Sequence, residues 1–114
     1  MRPGSLSRSR GRTREDRSSL LRERIARGKA HGALNMGVGS RSLAARAAAH
    51  PAFVNSLVSL ADGNLVPVAG GVLIRDENDD IIGAVGVSGH QPDEDEACAI
   101  QAITACDLRP DPGA

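Results

Sequence analysis

The spacing of apolar residues along this chain changes period twice. In SLLRERIARGKAHGALNMG, Leu21, Ile25, Ala26, Ala30 and Ala33 recur on one face at helical spacing. Ser18 or Ser19 is placed to cap the start, and Gly37 and Gly39 close the run. Gly28 and Gly32 weaken this helix by about 1 kcal/mol each relative to alanine. Ser40 is an N-cap for a short helix over 41–49, which His50 interrupts because a residue before proline is pushed out of the helical region. Pro51 then suits the first turn of a third helix, AFVNSLVSLA, with Phe53, Leu57 and Leu60 along one side. Asp62-Gly63-Asn64 reads as a turn.

Beyond it, in VPVAGGVLIRDENDDIIGAVGVSG, the helical period is lost. Residues 65–68 form a short extended piece that Pro67 confines to an edge or a strand end. Residues 71–75 and 81–88 are β-rich runs joined by the loop 76–80, a hairpin. The second run is apolar at both alternating sets of positions, which predicts a central strand covered on both faces, with glycines where a helix or another backbone comes close. The helical period returns over 93–107. Four leading acids suit the positive end of the helix dipole, and Ala97, Ile100, Ile103 and Thr104 supply a buried stripe. Three helices, then strands, then a helix give an α+β domain with helices packed on an antiparallel sheet. Residues 1–19 have no hydrophobic periodicity and read as a disordered basic tail. Residues 20–108 form the domain, and 109–114 a C-terminal tail.

Composition changes this picture in two ways. The chain has 114 residues, enough for one modest domain, but 17 are alanine, one is Phe, and Trp and Tyr are absent. So small a core volume points to a homo-oligomer. The net charge of zero conceals a split: residues 1–29 carry ten Arg/Lys against three acids, and residues 30–114 carry four against eleven. A basic head on an acidic body is the footprint of a nucleic-acid arm. One aromatic offers almost no stacking surface, however, so a solvated tail is the better reading and nucleic acid is not the expected partner. The Arg/Ser-rich start superficially resembles a transit peptide and lacks the apolar segment of a secretory signal. No apolar run approaches membrane-spanning length. Cys98 and Cys106, ~12 Å apart along a helix, are out of disulfide reach and read as small buried residues of a reducing, cytoplasmic protein.

The residues that could carry chemistry each have a plainer reading. Gly83, Gly86 and Gly89 are spaced GxxGxxG, and two of them fall within a strand, so they are corners of a sheet and not a dinucleotide cradle. DENDDIIG begins like a calcium loop, but counting from Asp76 the positions that need Gly and Glu hold Ile81 and Val87. His31, His50 and His90 have no HxxxH partner for zinc. His90 lies in the turn between strand and acidic helix, where function often resides, although a plain surface histidine is the better reading. PDEDE reads as a helix start, since paired acids without a nearby histidine or nucleophile make no acid–base site. The residues alone do not indicate an enzyme.

As a set, VPVAGGVLIRD, IIGAVGVSG, the following DEDEACA, and the upstream RGKAHGALNMGVGSRSLA and HPAFVNSL resemble the GlcG/HbpS-type haem-binding, sometimes haem-degrading, family. The resemblance covers about residues 24–106. It implies a compact α+β fold with a five-stranded antiparallel sheet, assembly into homo-oligomers, and haem binding with oxidative haem breakdown or sensing in some members. Relatives open with a helix and two strands before the KA helix. This chain has the Arg/Ser tail there, so about three of the five strands are expected and haem contacts from that region are not carried over. The resemblance makes Lys29 and His31 on the KA helix, and Ser88 and His90 after the second β-run, the candidate haem contacts. A neutral imidazole can ligate iron and a lysine can pair with a propionate. It leaves open a role as a structural or interaction fragment whose sheet edge another chain covers, and an enzyme acting on haem.

Overall fold

The computed structural model describes residues 14–113. Four helices, α1 (Arg14–Met36), α2 (Ser40–Ala49), α3 (Pro51–Leu60) and α4 (Pro92–Ala105), surround three strands, β1 (Gly71–Arg75), β2 (Ile81–Gly86) and β3 (Arg109–Asp111). The strands form one antiparallel sheet in the order β2-β1-β3. The expected α+β class and the three strands are therefore present. The predicted N-terminal tail lies outside the described residues up to position 13. From Arg14 to Ser19 it is already helix, six residues ahead of the expected start.

α1 is helical because its apolar rows hold through Ile25, Ala33 and Met36 while two small residues, Gly28 and Gly32, let other backbone close in. It stops where the N–H groups of Gly37 and Val38 both bond to the carbonyl of Ala33. α3 starts as predicted with Pro51 in its first turn. Its buried residue is Val54, however. Phe53 and Leu60, on the apolar side traced in the sequence, are 52% and 83% exposed, because α3 packs on α2 and not on the sheet.

The sheet is a middle layer. Gly71 and Gly86 face α1: a Cβ on Gly86 would lie 2.0 Å from the carbonyl oxygen of Ala26, and one on Gly71 would lie 2.4 Å from that of Lys29. Val72, on the opposite face, packs with Ala99 and Ile103 of α4, flanked by Ile74, Val85, Val87, Ile100 and Leu108. The stripe of α4 that meets the sheet is thus Ala99, Ile100 and Ile103, while Ala97 and Thr104 face solvent. The two cysteines, expected inside, are both exposed.

Two strand assignments differ from expectation for reasons of pairing. The central strand is β1, not the 81–88 run, and β2 is an edge. The extended piece at 65–68 joins no ladder, and the third strand instead comes from residues read as a C-terminal tail. Pro110 sits opposite Ile74, between the hydrogen-bonded pairs Leu73–Asp111 and Arg75–Arg109, where a strand on the sheet's rim needs no donor. The segment is fixed further by a hydrogen bond from Ser42 Oγ to the carbonyl of Gly113. Between β1 and β2 the loop winds around Asp76, whose carboxylate accepts N–H bonds from Asn78 at 2.9 Å and Asp80 at 3.0 Å.

Candidate functional site

At one end of the sheet α1 and α4 are joined through a buried ion pair. Lys29 follows Ile25 and precedes Ala33 at helical spacing, so its side chain leaves α1 on the covered face. Its ammonium donates to the carbonyl of Val87 at 2.9 Å and to Asp95 Oδ2 at 3.3 Å. Asp95 is in the first turn of α4, on the row that continues through buried Ala99 and Ile103. Both side chains are nearly sealed, Lys29 at 3% and Asp95 at 2% exposure. The carboxylate also accepts the backbone N–H of His90 at 2.9 Å and that of Gly89 at 3.4 Å. Burial pushes the Asp95 carboxyl up, but the amide of His90 and the ammonium of Lys29 outweigh it and hold it below the ordinary aspartate value.

The strand ends are shaped to admit the lysine. Gly70 has φ +128°, a conformation that L side chains rarely adopt, and a Cβ there would lie 2.6 Å from Lys29 Nζ. The next residue, Gly71, gives its N–H to the fully buried Ser40 Oγ at 2.7 Å. On the neighbouring surface Arg41 of α2 bonds to Glu96 at 2.9 Å and to Asp93 at 2.5 Å, and these carboxylates, Glu96 first, raise its already high pKa.

Of the four residues predicted to touch a cofactor, the fold brings three to this end of the sheet. Lys29 is engaged by Asp95 and Val87, so its charge is not free for a propionate. Ser88 is half-buried, and His90 has an exposed side chain while its backbone N–H is tied to Asp95. His31 lies about 200° around α1 from Lys29, on the solvent side, and is not part of the same cluster. Sequence reasoning missed Asp95, reading it as one of four helix-start acids. The signal was its place on the 95–99–103 row, where an acid in an otherwise apolar row calls for a buried cation.

The donor set and the available space bear differently on haem. Exposed imidazoles at His31 and His90 suit axial ligation of iron. Two described cavities, of about 330 Å³ and 230 Å³, are small for a cofactor and lined mainly by charged or polar residues: Arg75, Asp76, Glu77, Asn78, Asp107, Leu108 and Arg109 around one, and Arg24, Arg27, Asp62, Gly63 and Asn64 around the other. Neither includes a histidine. No group of three or more His, Cys, Asp or Glu among the described residues could hold a metal ion, and no described helix is long and apolar enough to cross a membrane.

The fold is shared with a protein of known structure. The crystal structure of a PduOC:haem complex superposes with a TM-score of 0.68 at 27% sequence identity, covering 78% of this chain and 63% of that one. The present chain thus spans less than two-thirds of its structural relative. No curated protein matches the sequence. A family described as "Haem degrading protein HbpS-like" matches residues 10–104, from ahead of α1 to the last turn of α4. Both helical layers and the β1–β2 hairpin fall inside that match, and the chain belongs to the HbpS-like family.

Proposed function

We propose that this protein binds haem, and that it does so as a homo-oligomer. The observation that carries the reading is the fold it shares with a protein crystallised with haem, within a family described as haem-degrading. The chain's own contribution is an axial donor: His90, held at its backbone by Asp95 in the loop after β2, or His31 on the open face of α1. Bound haem would supply a redox-active iron. The polypeptide would orient it through imidazole and Ser88, with Lys29 acting indirectly by fixing the loop that bears His90. A second copy completes the enclosure in this reading.

Titration with hemin tests it. A shifted Soret band that saturates near one haem per chain at micromolar hemin is expected, with His90→Ala losing the shift and His31→Ala retaining it. No shift and no saturation would reject haem binding, and the reverse pattern in the variants would move the ligand to α1. The reading is binding without turnover. Loaded protein given a reductant and dioxygen keeps its Soret band, whereas bleaching with iron release would assign haem degradation.

A further inference from the structure

We infer that the open face of α3, headed by His50, is a second haem-docking surface, apart from the loop that bears His90. The inference rests on the reading that the chain binds haem, and adds a site to it. It begins with charge. Residues 47–61 form the longest stretch of the chain without Asp, Glu, Lys or Arg, in a sequence that is 25% charged. The stretch is not hidden. Every residue from Ala48 to Phe53 is exposed, and Leu60, at the far end of α3, is 83% exposed. Contiguous exposed apolar surface of this kind marks an interaction site. Among the helices and strands α3 packs on α2 alone, so this face stands clear of the sheet, of α4 and of the His90 loop.

The chemistry along the row selects the occupant. His50, Phe53, Leu57 and Leu60 recur at i, i+3, i+7 and i+10, one row along the helix. An imidazole fit to ligate iron thus stands one turn from the only Phe, Tyr or Trp of the chain, on whose exposed ring a porphyrin can stack. From Phe53 to Leu60 the row runs ~10 Å along the axis, about the breadth of that macrocycle. The imidazole is not spent on the helix itself, because His50 is the N-cap residue of α3 yet makes no side-chain cap bond. Arg46, in the last turn of α2, accepts the N–H of His50 at its carbonyl at 2.7 Å, and its exposed guanidinium, one turn away, suits a propionate. The apolar disc, the metal and the carboxylate of haem each have a counterpart here. A lipid surface fits less well. Helices that lie on membranes carry Lys and Arg on their polar side, and the polar side of α3 is Asn55, Ser56 and Ser59. Open to solvent, the face holds haem more weakly than an enclosed site and fills after it.

Hemin titration of the full chain past the first equivalent, with the ferric spectrum recorded at each step, tests this. The wild type is expected to show a second, weaker phase with the spectrum of an imidazole-ligated iron. His50→Asn, which keeps a side chain suited to an N-cap, and Phe53→Ser, at an exposed position, should each weaken that phase about tenfold or more. His90→Ala should leave it in place. A single phase lost in His50→Asn and kept in His90→Ala retains the α3 face and removes the His90 site. A titration that His50→Asn and Phe53→Ser both leave unchanged overturns the inference while haem binding stands. A second phase that responds to Phe53→Ser but not to His50→Asn is adsorption to apolar surface and overturns it as well. So does an assembly that Phe53→Ser dissociates in sedimentation velocity with no His50-dependent phase, which gives the face to a second copy. No hemin binding by the wild type removes both readings.

Discussion

Replacing Lys29 by methionine isolates the energetic role of the buried pair. Methionine keeps the unbranched stem that passes Gly70 and removes the ammonium that meets Val87 and Asp95. Asp95 is then a carboxylate at 2% exposure whose remaining donors are the N–H groups of His90 and Gly89. Breaking a buried pair by removing one partner costs about 3–5 kcal/mol, because the other charge stays desolvated. That is a large part of the roughly 5–15 kcal/mol that holds a domain together. With about 4–8 °C per kcal/mol for a domain near this size, the thermal midpoint should fall by roughly 12–40 °C. Asp95→Asn, which strands the ammonium, should cost a comparable amount. The double variant Lys29→Met/Asp95→Asn should lose less than the sum of the two, with a coupling toward the upper end of about 0.5–3 kcal/mol. The control is Arg27→Ala. Its contact with Glu23 is 3.7 Å long with both side chains more than half exposed, so the effect should stay within about 0.5 kcal/mol. Urea unfolding followed by far-UV circular dichroism measures all four. A Lys29→Met cost under about 1 kcal/mol, or strict additivity in the double variant, would refute the account of the pair as a buried clamp.

Two further outcomes follow from the same packing. Gly86→Ala drives a Cβ toward the backbone carbonyl of Ala26, which cannot rotate away, and should cost about 3 kcal/mol. Gly83→Ala on the same strand meets only Ile74 Cδ1, at 3.6 Å, and should be neutral or stabilising by up to about 1 kcal/mol, so equal effects at the two glycines would count against the α1–β2 approach. For pH, the folded Asp95 carboxyl lies below its unfolded value of about 3.9, so its contribution is complete above that value and disappears as pH falls through the folded one. Acid titration of stability should therefore show a shallower loss below about pH 4 in Asp95→Asn than in the wild type, and identical acid limbs would remove Asp95 from the explanation.

What the sequence showed depended on how local the determining physics is. The helices, the hairpin and its loop were legible because periodicity, Pro51 and the 76–80 acids and turn residues act within a few positions. The pairing order was not. Nothing in Arg109-Pro110-Asp111 reads as a strand until Leu73 and Arg75 of β1 are seen to need partners. The apolar side of α3 was correctly traced through Phe53, Leu57 and Leu60, but periodicity says only that residues share a face. Whether a face is buried depends on what is there to cover it, and α3 packs on α2 through Val54. Of the candidate contacts that the family resemblance supplied, Lys29, Ser88 and His90 lie at one end of the sheet and His31 does not, and the partner of the lysine, Asp95, is 66 residues away in sequence.

The distribution of large apolar side chains links the fold to both proposals. Among the described residues, nine apolar side chains are buried and three of those are alanine, leaving six larger ones: Leu43, Val54, Leu65, Val72, Leu73 and Ile103. Seven large ones are at least a third exposed, including Phe53, Leu60, Ile81 and Ile82. Single exposed leucines are ordinary, but here seven large apolar residues are exposed beside six that are fully buried, with the rest half-buried, so folding one copy leaves part of the available hydrophobic free energy unused. A ligand and a second copy are the two ways to use it, and the geometry separates them. Phe53 and Leu60 lie with His50 on α3, whereas the edge isoleucines lie on β2 beside the acidic loop. If α3 receives haem, Phe53→Ser weakens the second hemin phase and leaves the assembly of the protein unchanged. If a second copy covers α3 instead, the same variant dissociates the protein and leaves the Soret titration unchanged.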